Sequence, residues 1–207
     1  MPAAKVKKIW NFLVWTKNAS LQQVYYLWEK KESMETTTMR KVAPFDPGSA
    51  EVRRAVANLN SRWSTWFFYL FKLPTLLFWG VRVRRVDVDS AEVEIPFGWR
   101  SQNPFRSTYF AALSGTGELA GGMLAMIAVA GRGPVSMLVT GMEASFSKKA
   151  VGKTIFTCTD GPMIRSAVQE ALETGEGRTV RVVSVGRQED GHEVCRVALT
   201  WSFKAKG

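Results

Sequence analysis

Between residues 106 and 130 lies a stretch of helical length that holds four glycines, Gly115, Gly117, Gly121 and Gly122, among the alanines Ala111, Ala112, Ala120 and Ala125. Each interior glycine weakens a helix by about 1 kcal/mol relative to alanine. A chain that keeps them must bring another backbone close to the helix, because only very small side chains allow so short an approach. A β-sheet curled tightly around one central helix meets that requirement. Gly131-Arg132-Gly133-Pro134 then supplies the stop.

The flanking segments change period and read as strands. Val81-Arg82-Val83 alternates, slips phase at Arg84-Arg85 and resumes at Val86-Asp87-Val88, the pattern of a strand with a bulge. Asp89-Ser90 turns it into a second strand, 91–95. After the glycine-rich helix, strands are predicted over 135–147 and 153–159. A short helix follows, with Met163, Ile164, Ala167, Val168, Ala171 and Leu172 on one face and Asp160 and Pro162 near its start. Two strands finish the chain. In the last, Cys195, Val197, Leu199, Trp201 and Phe203 take one face, and Arg196, Thr200, Ser202 and Lys204 take the other. The order β-β-α-β-β-α-β-β with short connections implies an α+β fold, an antiparallel sheet over one main helix.

Two helices are predicted in residues 1–41, over 5–17 and 20–35, the second opened by a capping box at Ser20-Leu21-Gln22-Gln23. Asn11 and Lys17 interrupt the first apolar run and no A-x-A site follows, so a signal peptide is disfavoured. Lys5, Lys7 and Lys8 beside Trp10 and Trp15 suit an interfacial membrane helix, and equally a helix packed on its own domain or a partner subunit. After a turn-rich linker at 44–49, a third helix is predicted over 49–72, stopped by Pro74. Its apolar half, continuing to Gly80, is interrupted by Lys72 and Pro74, which favours a buried or lipid-contacting helix over a spanning one. The domain reading is a helical extension, 1–73, and a sheet domain, 74–207.

Composition excludes several chemistries. Lys and Arg number 28 against 18 Asp and Glu, a formal charge of +10, yet they are spread along the chain and match no finger, RNP or helix-turn-helix signature. No nucleic-acid partner is expected. His192 is the one histidine and follows Asp190-Gly191, a hairpin turn, so neither a metal site built on several imidazoles nor a Ser-His-Asp triad is available. Cys158 and Cys195 lack CxxC spacing, which argues against zinc and against a disulfide framework and suits a reducing cytoplasm. No metal and no cofactor is expected. Gly115-Thr116-Gly117-Glu118-Leu119-Ala120 imitates a dinucleotide fingerprint but falls inside a helix, and Gly152-Lys153-Thr154 lacks the first glycine of a phosphate loop.

One carboxylate stands out. On a helical projection Ser107, Ala111, Ser114, Glu118, Gly121 and Gly122 fall within an arc of about 100°, with Leu113, Met123, Leu124 and Ile127 opposite. A stripe of small residues with a single acid suits a face covered by another surface that leaves room for a ligand. The alternative is an acid satisfied by Ser114 or Arg106 within an interface.

These residues resemble a family. The run Gly80-Val81-Arg82-Val83, the strand ending Glu94-Ile95-Pro96, Asn103, and the helix through Glu118-Leu119-Ala120-Gly121-Gly122 look like the hotdog-fold acyl-CoA thioesterases of phenylacetate-degradation type, and more closely an uncharacterised, domain-of-unknown-function branch of that superfamily. The resemblance covers about 74–204. It implies a hotdog fold, a curved antiparallel sheet wrapped around the central helix, and hydrolysis of an acyl thioester of CoA or of an acyl-carrier protein. In such relatives an Asn precedes a His-Gly-Gly turn, and an acid nine residues after the His attacks the thioester or activates water. Here Asn103 matches the Asn approximately, Tyr109-Phe110-Ala111 stands in place of His-Gly-Gly, and Glu118 stands at the acid. The resemblance therefore implies Glu118 as nucleophile or general base, the Phe110 N–H as oxyanion donor and Asn103 as an orienting group. Ser107, Tyr109, Ser114, Arg106, Lys148 and Lys149 are expected at the substrate, with Arg100 and Lys153 further candidates for CoA phosphates. The alternative is a non-catalytic acyl-lipid-binding or membrane-associated hotdog protein that has lost the turn chemistry. A homodimer or higher homo-oligomer is expected, as is a cytoplasmic location with peripheral contact at the inner membrane surface through the N-terminal helices.

Overall fold

The structure, a computed structural model, describes residues 42–206. The two helices expected in 1–41, with Trp10 and Trp15, lie outside the described residues. Eight-element β-β-α-β-β-α-β-β order is found as expected. The strands are β1 (Arg82–Val86), β2 (Ala91–Ile95), β3 (Val135–Phe146), β4 (Thr154–Cys158), β5 (Arg178–Gln188) and β6 (Glu193–Ala205). They form one antiparallel sheet in the order β1-β2-β4-β5-β6-β3. Three helices, α1 (Ala50–Asn60), α2 (Arg62–Lys72) and α3 (Pro74–Trp79), precede the sheet; α4 (Phe110–Val129) and α5 (Gly161–Thr174) are inserted within it.

The sheet curls around α4, as the glycines require. A methyl group placed on Gly117 would lie 2.8 Å from Val197 Cγ2 and 3.1 Å from Phe156 Cε1, so β6 and β4 approach closer than alanine allows. Leu119, Met123, Leu124 and Ile127 from the helix meet Val93, Phe156, Val182, Leu199 and Phe203 from the strands in one core. The expected faces of β6 hold, with Cys195 to Phe203 buried at alternate positions. The bulge expected in β1 falls between Val83 and Arg85.

Several expectations are corrected. The single helix over 49–72 is two, because Ser61 turns extended (φ −81°, ψ 119°) and its hydroxyl accepts from Ser64 N–H, capping α2. Pro74 does not stop the helical run. It opens α3, since the first helical position needs no N–H from it. Val52, Leu59 and Tyr69 of the preceding helices are buried in the same core as the strands. Asn60 ties α1 to the sheet edge: its Nδ2 donates to Val86 O (2.7 Å) and its Oδ1 accepts from Val86 N–H (3.0 Å), as a neighbouring strand would. On α5, Met163 is exposed instead of sharing the buried face of Ile164, Ala167, Val168, Ala171 and Leu172. Asp160 accepts from Val183 N–H (2.7 Å), which fastens the start of α5 to β5.

Among the described residues, the helix long and apolar enough to cross a membrane is α4, which is mostly buried as the core helix.

Candidate functional site

The central helix begins at Phe110, four residues later than the sequence suggests, because residues 103–107 close into a turn first. Asn103 organises that turn. Its Oδ1 accepts from Phe105 N–H (2.9 Å) and Ser107 N–H (3.2 Å), its Nδ2 donates to Ser107 Oγ (3.1 Å), and its main-chain N–H donates to Ser107 O (2.8 Å). Ser107 therefore lies in a loop and not on the helical stripe. Thr108 then donates twice to Ala150 O, from N–H at 2.8 Å and Oγ1 at 3.1 Å, and Tyr109 N–H donates to Ser101 O at 2.7 Å. The start of α4 is thus anchored on both sides. No side chain caps it. Among the described residues, the Phe110 and Ala111 N–H groups donate to no protein acceptor, at the end where the helix dipole is positive.

Beside this end opens a cleft of about 400 Å³ lined by Asn103, Ser107, Thr108, Phe110, Phe146, Lys148 and Lys149 among others. Five residues selected from the sequence, Asn103, Ser107, Phe110, Lys148 and Lys149, therefore share one wall. Tyr109 meets Phe110 edge to face at 4.9 Å, and Phe110 meets Phe146 at 6.3 Å. Arg106 is in the adjacent turn, in the left-handed region at φ 57°. Lys153 lies outside the cleft and pairs with Glu189 at 2.7 Å, and Arg100 stands beside Gly80.

Glu118 does not line that cleft. It is half-buried along α4, and among the described residues neither Ser114, Arg106 nor any other group bonds or pairs with it. Burial without a partner pushes its carboxyl pKa above the ordinary glutamate value. It borders the small residues: a methyl on Gly122 would lie 3.4 Å from Glu118 Oε1 and 3.6 Å from Trp201 Cζ2. Eight residues of helix separate Glu118 from Phe110, an advance of about 12 Å. One carbonyl cannot approach both within the roughly 3 Å that catalysis needs. A single chain therefore presents two candidate half-sites, an N–H end with its basic cleft and a carboxylate on a small-residue face.

Three other residues are set aside by their surroundings. His192 is in the β5–β6 hairpin, its Nδ1 3.0 Å from Asp190 Oδ2, with Gly191 at φ 83° making the turn. Cys158 and Cys195 are buried free thiols, and burial pushes Cys195 up to about 12, so neither is a ready thiolate.

Sequence reasoning missed Thr108, Leu113, Phe146 and Ala150 in the cleft. Strict alternation from Val135 places Phe146 on the outer face of the sheet. A bulge between Val139 and Gly141 reverses the phase and turns Phe146 inward beside Cys195. Thr108 and Ala150 act through main-chain geometry, which carries no residue-type signal.

The sequence profile of a family described as a domain of unknown function, DUF4442, matches residues 62–203. The chain belongs to that family. Among curated protein sequences none matches this DUF4442 chain. Solved structures do. A protein of Pseudomonas aeruginosa, described as of unknown function and a probable thioesterase, is similar at 19% identity and a TM-score of 0.59, over 79% of this chain and 98% of that one. A Chlorobaculum tepidum protein of unknown function is similar at 11% identity and a TM-score of 0.63, over 76% of this chain and 100% of that one. At such identities the likeness is one of fold, and the fold is the hotdog, as the sequence resemblance implied.

Proposed function

We propose that the protein binds and hydrolyses an acyl thioester of CoA or of an acyl-carrier protein, in a site completed by a second copy of the chain. The observation that carries the reading is Glu118, a half-buried carboxylate without a bonding partner among the described residues, on a face of small side chains. Pairing of two chains brings the Phe110 N–H of one protomer to the Glu118 carboxylate of the other, which the roughly 12 Å helix advance forbids within one chain. The free N–H polarises the thioester carbonyl and holds the oxyanion of the tetrahedral intermediate. In one route Glu118 takes the proton of an attacking water, the C–S bond breaks and that proton passes to the leaving thiolate. In the other Glu118 attacks the carbonyl carbon itself, the thiolate leaves with a proton from water, and the hydroxide so formed cleaves the Glu118 anhydride to release the acid and restore the carboxylate. Lys148 and Lys149 at the cleft suit the phosphates of the thiol carrier. Asn103 shapes the turn that aims the helix end. Buried free thiols support action in a reducing compartment such as the cytoplasm.

The test is thiol release from a panel of acyl-CoA substrates of graded chain length, aliphatic and aromatic. Glu118→Gln keeps size and removes the charge, and is expected to lower turnover by about 10²-fold or more. Equal rates for parent and variant would defeat the assigned mechanism. Phe110 at the cleft, where relatives carry His-Gly-Gly, favours the second reading, an acyl-binding protein without hydrolysis. Acyl-CoA binding by both forms with no thiol release by either would select it.

A further inference from the structure

We propose that the exposed aromatic face of α2 docks on the surface of an anionic lipid bilayer. The inference is independent of the thioester reading. On this helix Thr65 and Tyr69 are buried, whereas Trp63, Trp66, Phe67, Leu70 and Phe71 are exposed, Trp63 at 77% and Phe71 at 74%. At 100° per residue those five side chains span an arc of about 140°, so they form one continuous face. An apolar face of this breadth left in water marks a contact surface.

Charge decides which partner fits. Residues 52–86 contain Arg53, Arg54, Arg62, Lys72, Arg82, Arg84 and Arg85 and not one Asp or Glu. Among the described residues only Arg84 and Arg85 of these seven pair with an acid, Glu94 and Asp87 respectively. Arg62 and Lys72 stand exposed at the two ends of α2. Tryptophan and phenylalanine flanked by cations is the composition of a helix lying in the headgroup region, with the rings among the upper acyl chains and the cations on lipid phosphates. A second copy set on this face would bring the same cations to the contact and be repelled.

The experiment is flotation of the full chain with vesicles of phosphatidylcholine alone, or with about a third of the lipid replaced by phosphatidylglycerol. The parent is expected to float with the anionic vesicles at least about tenfold more than with the neutral ones, and less as salt rises. The triple variant Trp63→Ser, Phe67→Ser, Phe71→Ser alters only exposed positions, so its circular dichroism and melting should match the parent while flotation falls about tenfold or more. Arg62→Glu with Lys72→Glu should remove the preference for anionic lipid. Flotation of the triple variant equal to the parent's would overturn the proposal. So would failure of the parent to float with anionic vesicles; a smaller assembly for the triple variant by light scattering would then show that a second copy covers the face.

Discussion

Glu118 pays for its position in protonation free energy. Burial without a partner raises its folded-state pKa above the unfolded value, so the folded chain binds that proton more tightly. The carboxyl is then neutral, and costs nothing, below the ordinary glutamate range. As pH rises from there through the raised folded value, stability declines, and it stays lower above it. Glu118→Gln, which cannot ionise, is therefore expected to melt no lower than the parent at neutral pH, with any advantage gone on acidification below the ordinary range. Thermal melts from pH 3 to 8 read this directly, and a variant that melts clearly lower at neutral pH would show that the carboxylate has a stabilising partner. If Glu118 is the base of the proposed hydrolysis, the acidic limb of the kcat/KM profile should lie above the range of a solvated glutamate and vanish with Glu118→Gln. Glu118 was legible in the sequence because a lone acid among glycines and serines contradicts a solvated stripe. Asn103 was legible as a residue, but its use in closing a turn was not, because nothing in sequence spacing predicts which main-chain groups its amide meets.

At the scale of elements, α4 separates two uses of glycine. Alanine at Gly117 must displace Val197 and Phe156, which are fixed in the core, and overpacking of that kind costs about 1–3 kcal/mol against about 1 kcal/mol gained in helix propensity. Gly117→Ala is expected to lower stability by about 1 kcal/mol, the middle of that difference, measured by denaturant unfolding. Alanine at Gly122 makes only ordinary contacts, 3.4 Å to Glu118 Oε1 and 3.6 Å to Trp201, so the folded protomer should be unchanged or stabilised by up to about 1 kcal/mol. Its added methyl stands on the face where the proposed function has a thioester and a second chain approach, and on that reading thiol release should fall although stability does not. Loss of stability in both variants would deny the distinction. The elements themselves were readable because period changes mark them: 3.6 in α4 and α5, 2 in β6. Boundaries failed where a side chain overrode the period. Ser61 capped a new helix within an unbroken apolar pattern, Pro74 began a helix instead of ending one, and the bulge near Thr140 reversed β3.

Among the described residues the sheet has two edges, and they differ. At β1, Asn60 satisfies both main-chain groups of Val86 and α1 lies alongside. At β3, twelve residues end the sheet with no described strand beyond them, a template for pairing with another chain. Next to that edge the inner face is uncovered: Met142 and Phe146 point to the side of the sheet that holds α4, yet both are exposed, together with Tyr109 and Phe110. Two-fold association would cover this surface, protect the edge and join the two half-sites, so one contact answers three separate needs. Light scattering at micromolar concentration is expected to give a mass of two chains or a multiple of two. Met142→Lys with Phe146→Lys changes only side chains already in water in the protomer, so secondary structure should persist while the mass falls to one chain and thiol release is lost with it. Should the parent be a stable monomer that still cleaves thioesters, catalysis would have to run within one chain, and the pairing of Phe110 with the partner's Glu118 would be wrong.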